Sequence, residues 1–385
     1  MKRAGWILAL ILLVGIIPVN AQAAELATEA KSAVLMDVAT GTVLYEHNSH
    51  EALAPASVTK IMTMLLVMEA IDSGKIGWDD MVTASEAAAA KGGSQVYLKV
   101  GETMPVTDML KSIAVSSAND CACAMAEHLC GSESAFVERM NQRAQELGMN
   151  DTKFVNCTGL DDSPEAVNHK TSAYDIALMS RELLGKHPDI KKFTTIWMDT
   201  IRNGAFGLSN TNKLVRFYNG ATGLKTGFTS GAGYCLSASA QREGMELIAV
   251  TMGCKSSQER NAACKSMLDY GFANFALIQP SLEDTPPVPV KLGKADSVSA
   301  RLGGSTSLLI DKGQKGSVVT ELQMEEILTA PVSQGQRVGT LRLKAGDQVL
   351  SEVPLVADTA VERLRFGELF CKVLGKTAMA KGSAM

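Results

Sequence analysis

In the segment Pro55-Ala56-Ser57-Val58-Thr59-Lys60, the residues Ser57 and Lys60 are spaced so that one could activate the other. An apolar, helix-forming run follows, and residues three apart stand on one helical face about one turn apart. The lysine amine then reaches the serine hydroxyl. A serine becomes a nucleophile when a neighbouring base takes its proton. Lysine serves as that base when its pKa falls from about 10.4 toward neutrality. Ser-x-x-Lys arises often by chance, so the pair needs support from elsewhere in the chain.

Two further segments supply it. Ser117-Ala118-Asn119 sits in a stretch of small residues expected to be helical. A hydroxyl there can relay a proton, and an amide can orient a substrate backbone. Lys225-Thr226-Gly227 follows Gly223-Leu224 on an expected strand, with Gly227 leaving room for a close backbone approach. Such an edge pairs with an extended peptide, and Lys225 and Thr226 then face its terminal carboxylate. The backbone N–H groups of Ser57 and Phe228 are the expected oxyanion hole. Lys225 is also expected to supply the positive charge that lowers the pKa of Lys60.

Other constellations carry less. Glu146 in Glu146-Leu147-Gly148-Met149-Asn150 could act as a deacylating base. Phe136, Val137, Met140, Ala144 and Leu147 share one helical face, however, and Glu146 projects away from it. His47 and His50 form His-x-x-His with no further ligand cluster nearby, so no metal site is expected. His128 and His169 lack a Gly-x-Ser-x-Gly elbow to serve, and structural hydrogen bonding suffices for both.

The elements that must position these residues are strands at both ends of one block and helices between. Residues 33–38 and 42–46 read as strands around Ala39-Thr40-Gly41. A mainly helical region follows, including 57–71, 106–130, 135–147 and 172–184. Strand patterns return at 223–228, 234–240 and 247–252, with Arg242-Glu243-Gly244 as a hairpin turn, and a helix spans 258–270. One sheet built from distant segments with a helical subdomain inserted follows from this order. After Gln279 comes the stiff connector Asp284-Thr285-Pro286-Pro287-Val288-Pro289, then short alternating strands separated by Gly-containing turns. Phe366, Leu369, Phe370, Val373 and Leu374 form an apolar helical stripe opposite Glu368, Lys372 and Lys376. That pattern suits a membrane interface or packing on the β domain.

Lys2 and Arg3, the apolar run from Trp6 to Ile17, and Ala21-Gln22-Ala23 make a cleavable signal peptide, which places the mature chain outside the cytoplasm. The 385 residues allow two domains, and 46% hydrophobic with 20% charged residues describe a globular chain. A net charge of -4 gives no electrostatic reason for a nucleic-acid partner. Three of the eight cysteines, Cys121, Cys123 and Cys130, fall on one expected helix, which favours buried free thiols over a disulfide framework.

With its three motifs in this order, the chain resembles the penicillin-recognising serine enzymes. Within them it is similar to the D-alanyl-D-alanine carboxypeptidases, the low-molecular-mass penicillin-binding proteins. The likeness extends from residues 53–63 through Gly93-Ser94-Gln95-Val96-Tyr97-Leu98, Leu147-Gly148-Met149, Thr171-Ser172-Ala173-Tyr174-Asp175 and residues 223–229. It continues from Ala330-Pro331-Val332 to Pro354-Leu355-Val356-Ala357.

The resemblance implies an α+β fold, an antiparallel sheet with a helical subdomain of the β-lactamase/transpeptidase type, followed by a small all-β domain. The corresponding division is 1–23 signal peptide, 24–278 peptidase domain, 279–289 linker, 290–360 β domain, 361–377 amphipathic membrane-associating helix and 378–385 tail. It implies catalysis by Ser57, Lys60 and Ser117, with Asn119, Lys225, Thr226, Gly227 and Phe228 binding substrate. Ser57 attacks the penultimate D-Ala carbonyl of a peptidoglycan pentapeptide stem, terminal D-Ala leaves, and water completes the cycle. β-Lactams acylate the same serine, and no metal or cofactor is implied. Some members carry histidine where Phe228 stands and others an aromatic residue, so only the backbone role transfers. A transpeptidase or endopeptidase of the same fold, or a non-catalytic wall-binding homologue, are the alternatives.

Overall fold

The computed structural model describes residues 26–282, 285–304 and 307–371. The expected signal peptide, and residues 372–385, lie outside the described residues.

A five-stranded antiparallel sheet forms the frame. Its spatial order is Val43–His47, Ser32–Asp37, Met245–Cys254, Gly233–Arg242 and Ala221–Thr229. Strand residues alternate between faces, and here both faces are covered. Val34, Met36, Ile248, Val250 and Met252 enter the core shared with the helical region. Ala33, Leu35, Leu247 and Ala249 enter a second core beneath the helix Ser257–Asn274. Gly271 lets that helix approach, since a Cβ there would lie 2.4 Å from Leu247 Cδ1. The expected hairpin turn is present, with Glu243 at φ 49° and Gly244 at φ 81°.

The helix Lys60–Asp72 is buried on nearly every side, from Lys60 through Met68. Helices that are apolar all round belong inside a fold, and this one is enclosed by Val106–Ser116, Asn119–Cys130, Glu133–Glu146 and Ala173–Lys186. Arg143 ties three of these helices, donating to Glu69 at 2.6 Å and Glu182 at 2.7 Å. Glu146 joins the same surface network through Arg139 at 2.9 Å, in keeping with its outward projection.

One expected helix is two. The run 106–130 breaks at Ser117, which adopts a left-handed φ of 63°, and the next helix begins at Asn119. A left-handed non-glycine residue costs roughly 1–2 kcal/mol. The turn it makes brings Ser117 and Asn119 together at a helix junction, which a continuous helix would not do.

Beyond the Ser257–Asn274 helix, Phe275–Ile278 pairs with Leu308–Asp311. Strands Ala300–Leu302, Gln348–Ala357, Arg337–Ala345 and Val318–Met324 form a four-stranded sheet in that order. A three-stranded sheet of Ser297–Val298, Val288–Lys291 and Leu328–Thr329 packs on the same core, which includes Val288, Val338, Leu341, Leu343 and Leu355. Residues 366–371 are helical, with Phe366 and Phe370 exposed. Among the described residues, no helix is long and apolar enough to cross a membrane.

The C-terminal strands have their own core, so damage there should stay local. Leu341→Ala is expected to cost about 2–5 kcal/mol and to lower hydrogen-exchange protection within residues 288–361. Protection of the Lys60–Asp72 helix should be unchanged.

Candidate active site

Ser57 lies in the 3-10 turn Ala56–Thr59 that opens the Lys60–Asp72 helix. Lys60 Nζ donates to Ser57 Oγ at 2.9 Å and to the Thr158 carbonyl at 2.8 Å. The lysine is wholly buried, and this desolvation lowers its pKa to about 7, while Cys157 and Asp120 act in the opposite direction. A free amine therefore stands within hydrogen-bond reach of a serine near neutral pH.

The expectation that Lys225 depresses Lys60 needs correction. Burial does it. Lys225 is itself buried, and burial, Lys60 and Arg260 all push its pKa well down. Repulsion between two buried ammonium groups is mutual, so the pocket disfavours holding both protons at once.

A tight loop presents the Thr158 carbonyl. Asn156 Oδ1 accepts from the Thr158 and Gly159 N–H groups at 3.1 and 2.7 Å, and its Nδ2 donates to Leu160 O at 2.9 Å. Gly159 sits at φ 82°, and a Cβ there would lie 1.8 Å from Ala56 O. Only glycine fits between this loop and the Ser57 turn.

Ser117 and Asn119 are 3% and 2% exposed, and Ser117 Oγ and Asn119 Oδ1 have no hydrogen-bond partner among the described residues. Buried polar atoms are normally paired, so both atoms are available to a ligand. Asn119 Nδ2 gives one hydrogen to Gly92 O at 2.7 Å, leaving the other free. Next to it, Asp120 accepts from Val96 N and Leu98 N at 3.1 and 3.0 Å, holding the 94–98 loop against the junction. Sequence reasoning did not single out Asp120.

The Ala221–Thr229 strand closes the other side at the sheet edge. A Cβ on Gly227 would lie 2.6 Å from Pro55 O and 3.1 Å from Val58 N, so glycine lets the strand touch the Ser57 turn. Lys225 Nζ donates to Thr226 O at 2.9 Å, and the Thr226 hydroxyl pairs with that of Thr211 at 2.6 Å. Phe228 is exposed and packs on Tyr234, with ring centroids 4.3 Å apart.

Arg260 is a further cation that the sequence did not advertise. It rises from the first turns of the Ser257–Asn274 helix, is 5% exposed and lies over the Tyr234 ring. No local motif marks it: it donates to the neighbouring Asn261 at 3.2 Å and to the Cys235 carbonyl of the sheet at 3.5 Å. Three histidines that the sequence singled out occupy different settings. His50 pairs with Asp151 at 2.8 Å, His128 is exposed, and His169 is buried. Six cysteines are buried, and burial pushes the Cys264 thiol up to about 12.

Burial of Lys60 has a thermodynamic cost. Its folded pKa lies below the ordinary 10.5, so the unfolded chain binds more protons between pH about 7 and 10.5, and stability rises through that window. Lys60→Met removes this dependence. Denaturation at pH 6 and pH 10.5 should show the stability difference between variant and wild type shifting by roughly 3–5 kcal/mol, in favour of the variant at pH 6.

Residues 19–256 match the profile of the D-alanyl-D-alanine carboxypeptidases, and residues 282–363 that of the C-terminal domain of penicillin-binding protein 5. The chain is 45% identical over 357 residues to the D-alanyl-D-alanine carboxypeptidase DacF of Bacillus subtilis, covering 91% of this chain and 90% of the relative. It is 35% identical to DacC of Escherichia coli, covering 87% and 84%. Among solved structures, penicillin-binding protein 6B of Escherichia coli superposes with a TM-score of 0.70 at 33% identity, covering 88% of this chain and 98% of that one. Penicillin-binding protein D2 of Listeria monocytogenes in its ampicillin-bound form gives 0.58 at 31% identity, covering 63% and 98%. With both halves matched and the sheet, the helical region and the C-terminal β domain in place, the chain belongs to the D-alanyl-D-alanine carboxypeptidase family of serine peptidases.

Proposed function

We propose that Ser57 is the acylated nucleophile and Lys60 its base in removal of the terminal D-alanine from peptidoglycan pentapeptide stems. The observation that carries this is the 2.9 Å contact between Ser57 Oγ and a buried amine whose pKa lies near 7. Lys60 in its free-base form takes the Ser57 proton, and Oγ attacks the penultimate D-Ala carbonyl carbon. The N–H groups of Ser57 and Phe228 receive the developing oxyanion. The C–N bond then breaks, and the departing D-Ala amine receives its proton from the Lys60 ammonium by way of Ser117 Oγ. Water adds to the resulting ester by the same steps in reverse and frees Ser57.

The substrate's charge helps set this up. Lys225 and Thr226, with Arg260 behind, meet the terminal carboxylate, which favours a proton on Lys225. Repulsion then favours the neutral form of Lys60. Asn119, through its remaining N–H and its unpaired Oδ1, meets the stem's amide. Gly227 lets the strand touch the Ser57 turn, which sets the strand edge beside Ser57 for an extended stem to pair with. β-Lactams acylate Ser57 by the same attack.

We further infer an extracytoplasmic location, supported by the signal-peptide pattern in residues 1–23 and by the substrate. Exposed Phe366 and Phe370 support contact of the C-terminal helix with a membrane surface.

Acylation by a fluorescent penicillin is expected to rise with pH through about 7, as Lys60 loses its proton, and to vanish in Ser57→Ala. Lys60→Met should lower D-Ala release from diacetyl-Lys-D-Ala-D-Ala about 10²–10⁴-fold. Serine-independent labelling, or cross-linked dimers in place of free D-Ala, would count against the assignment.

A further inference from the structure

His169 stands outside the three motifs, yet it reaches the nucleophile turn through an unbroken chain of hydrogen bonds. The Val155 N–H points at His169 Nδ1 at 3.2 Å. A backbone N–H can only donate, so Nδ1 is the acceptor and the ring proton sits on Nε2. Nε2 lies 2.8 Å from Thr59 Oγ1 and donates to it. The Thr59 hydroxyl hydrogen then goes to Ala56 O, also at 2.8 Å. Every donor direction is thereby set by one amide. A charged imidazole would have no lone pair for Val155, and burial together with Lys60 holds the His169 pKa near 4, so the ring stays neutral.

The end point of the chain is the carbonyl immediately before Ser57. Ala56 occupies a left-handed φ of 49°, a conformation an alanine does not hold without restraint. Its oxygen is confined between the Gly159 backbone and the Thr59 hydroxyl. The His169 segment is fixed to the approach side of the same turn, because Leu53 and Thr171 exchange N–H···O bonds at 2.8 and 2.9 Å.

We infer that His169 is a positioning residue, which acts through Thr59 on the Ala56 carbonyl to hold Ser57 Oγ in reach of Lys60. It touches neither substrate nor the reacting atoms. This rests on Ser57 as the acylated serine.

The test compares His169→Ala, Thr59→Val, Thr59→Ser and the double variant His169→Ala/Thr59→Val in the full mature chain. The acylation rate constant and the prior non-covalent dissociation constant for a fluorescent penicillin are measured separately. A nucleophile displaced by a fraction of an ångström should slow acylation about 10- to 100-fold in His169→Ala and Thr59→Val. Non-covalent binding should change less than threefold, and Thr59→Ser should keep the wild-type rate. Because the two residues act in series, the double variant should be no slower than the slower single.

Acylation slowed less than tenfold in folded Thr59→Val overturns the inference. So does multiplicative loss in the double variant, or an equally slow Thr59→Ser. If His169→Ala fails to fold, Thr59→Val and Thr59→Ser decide the matter. Nitrogen-15 NMR of wild type must show the Nε2–H tautomer for His169 at pH 7, and the Nδ1–H tautomer would refute the chain directly. An unlabelled wild type overturns the assignment of Ser57 itself, whereas a labelled wild type with unaffected variants overturns only this inference.

Discussion

The site depends on the exclusion of water from one amine. Lys60 is fully buried, and among the described residues Ser57 and the Thr158 carbonyl receive its side-chain hydrogen bonds. An ammonium in such a place is held at a disadvantage against its neutral form. The surrounding architecture serves that condition. The all-buried nucleophile helix removes solvent from below, the Asn156–Leu160 loop caps the amine with a carbonyl, and the sheet edge closes in through Gly227. Asp120 and Cys157 pull the other way, and desolvation outweighs them. Desolvation suffices.

This explains why the motif order was informative while its electrostatics were not. Ser57 and Lys60 sit three residues apart on continuous chain, so their contact follows from helical spacing alone. The strands at residues 33–38 and 247–252 are likewise local readings, and their nearly continuous apolar runs fit a sheet covered on both faces. The source of the Lys60 shift was not local. Attributing it to Lys225 treats two charges in isolation, whereas the dominant cause is the closeness of packing around the amine, which depends on residues up to Gly227.

The other departures have the same origin. The break at Ser117 is invisible to helix periodicity, because the small apolar residues on either side fit one helix as well as two. Arg260 and Asp120 carry no motif; each acquires its place from the segment packed against it. His169 was read as a structural hydrogen-bonding residue, and its bonds agree with that. Only the structure shows that the bonds end on the carbonyl before Ser57. The domain limits and the proposed membrane contact of the C-terminal helix rest on pattern in the chain.

The strand order has a consequence for how the protein becomes active. Ala33 pairs with Thr251, and the catalytic edge strand lies three places further across the same sheet from the first-made segment. Contacts this distant in sequence close late and slowly in folding. The Ser57 turn is made at residues 56–59, but the glycine strand that packs against it is made only at residues 221–229. A chain that ends before residue 229 therefore lacks the strand that meets the Ser57 turn at Gly227. Closure of the Ser57–Lys60 pair against the sheet edge thus waits on that strand and on the two, Gly233–Arg242 and Met245–Cys254, that join it to Ser32–Asp37.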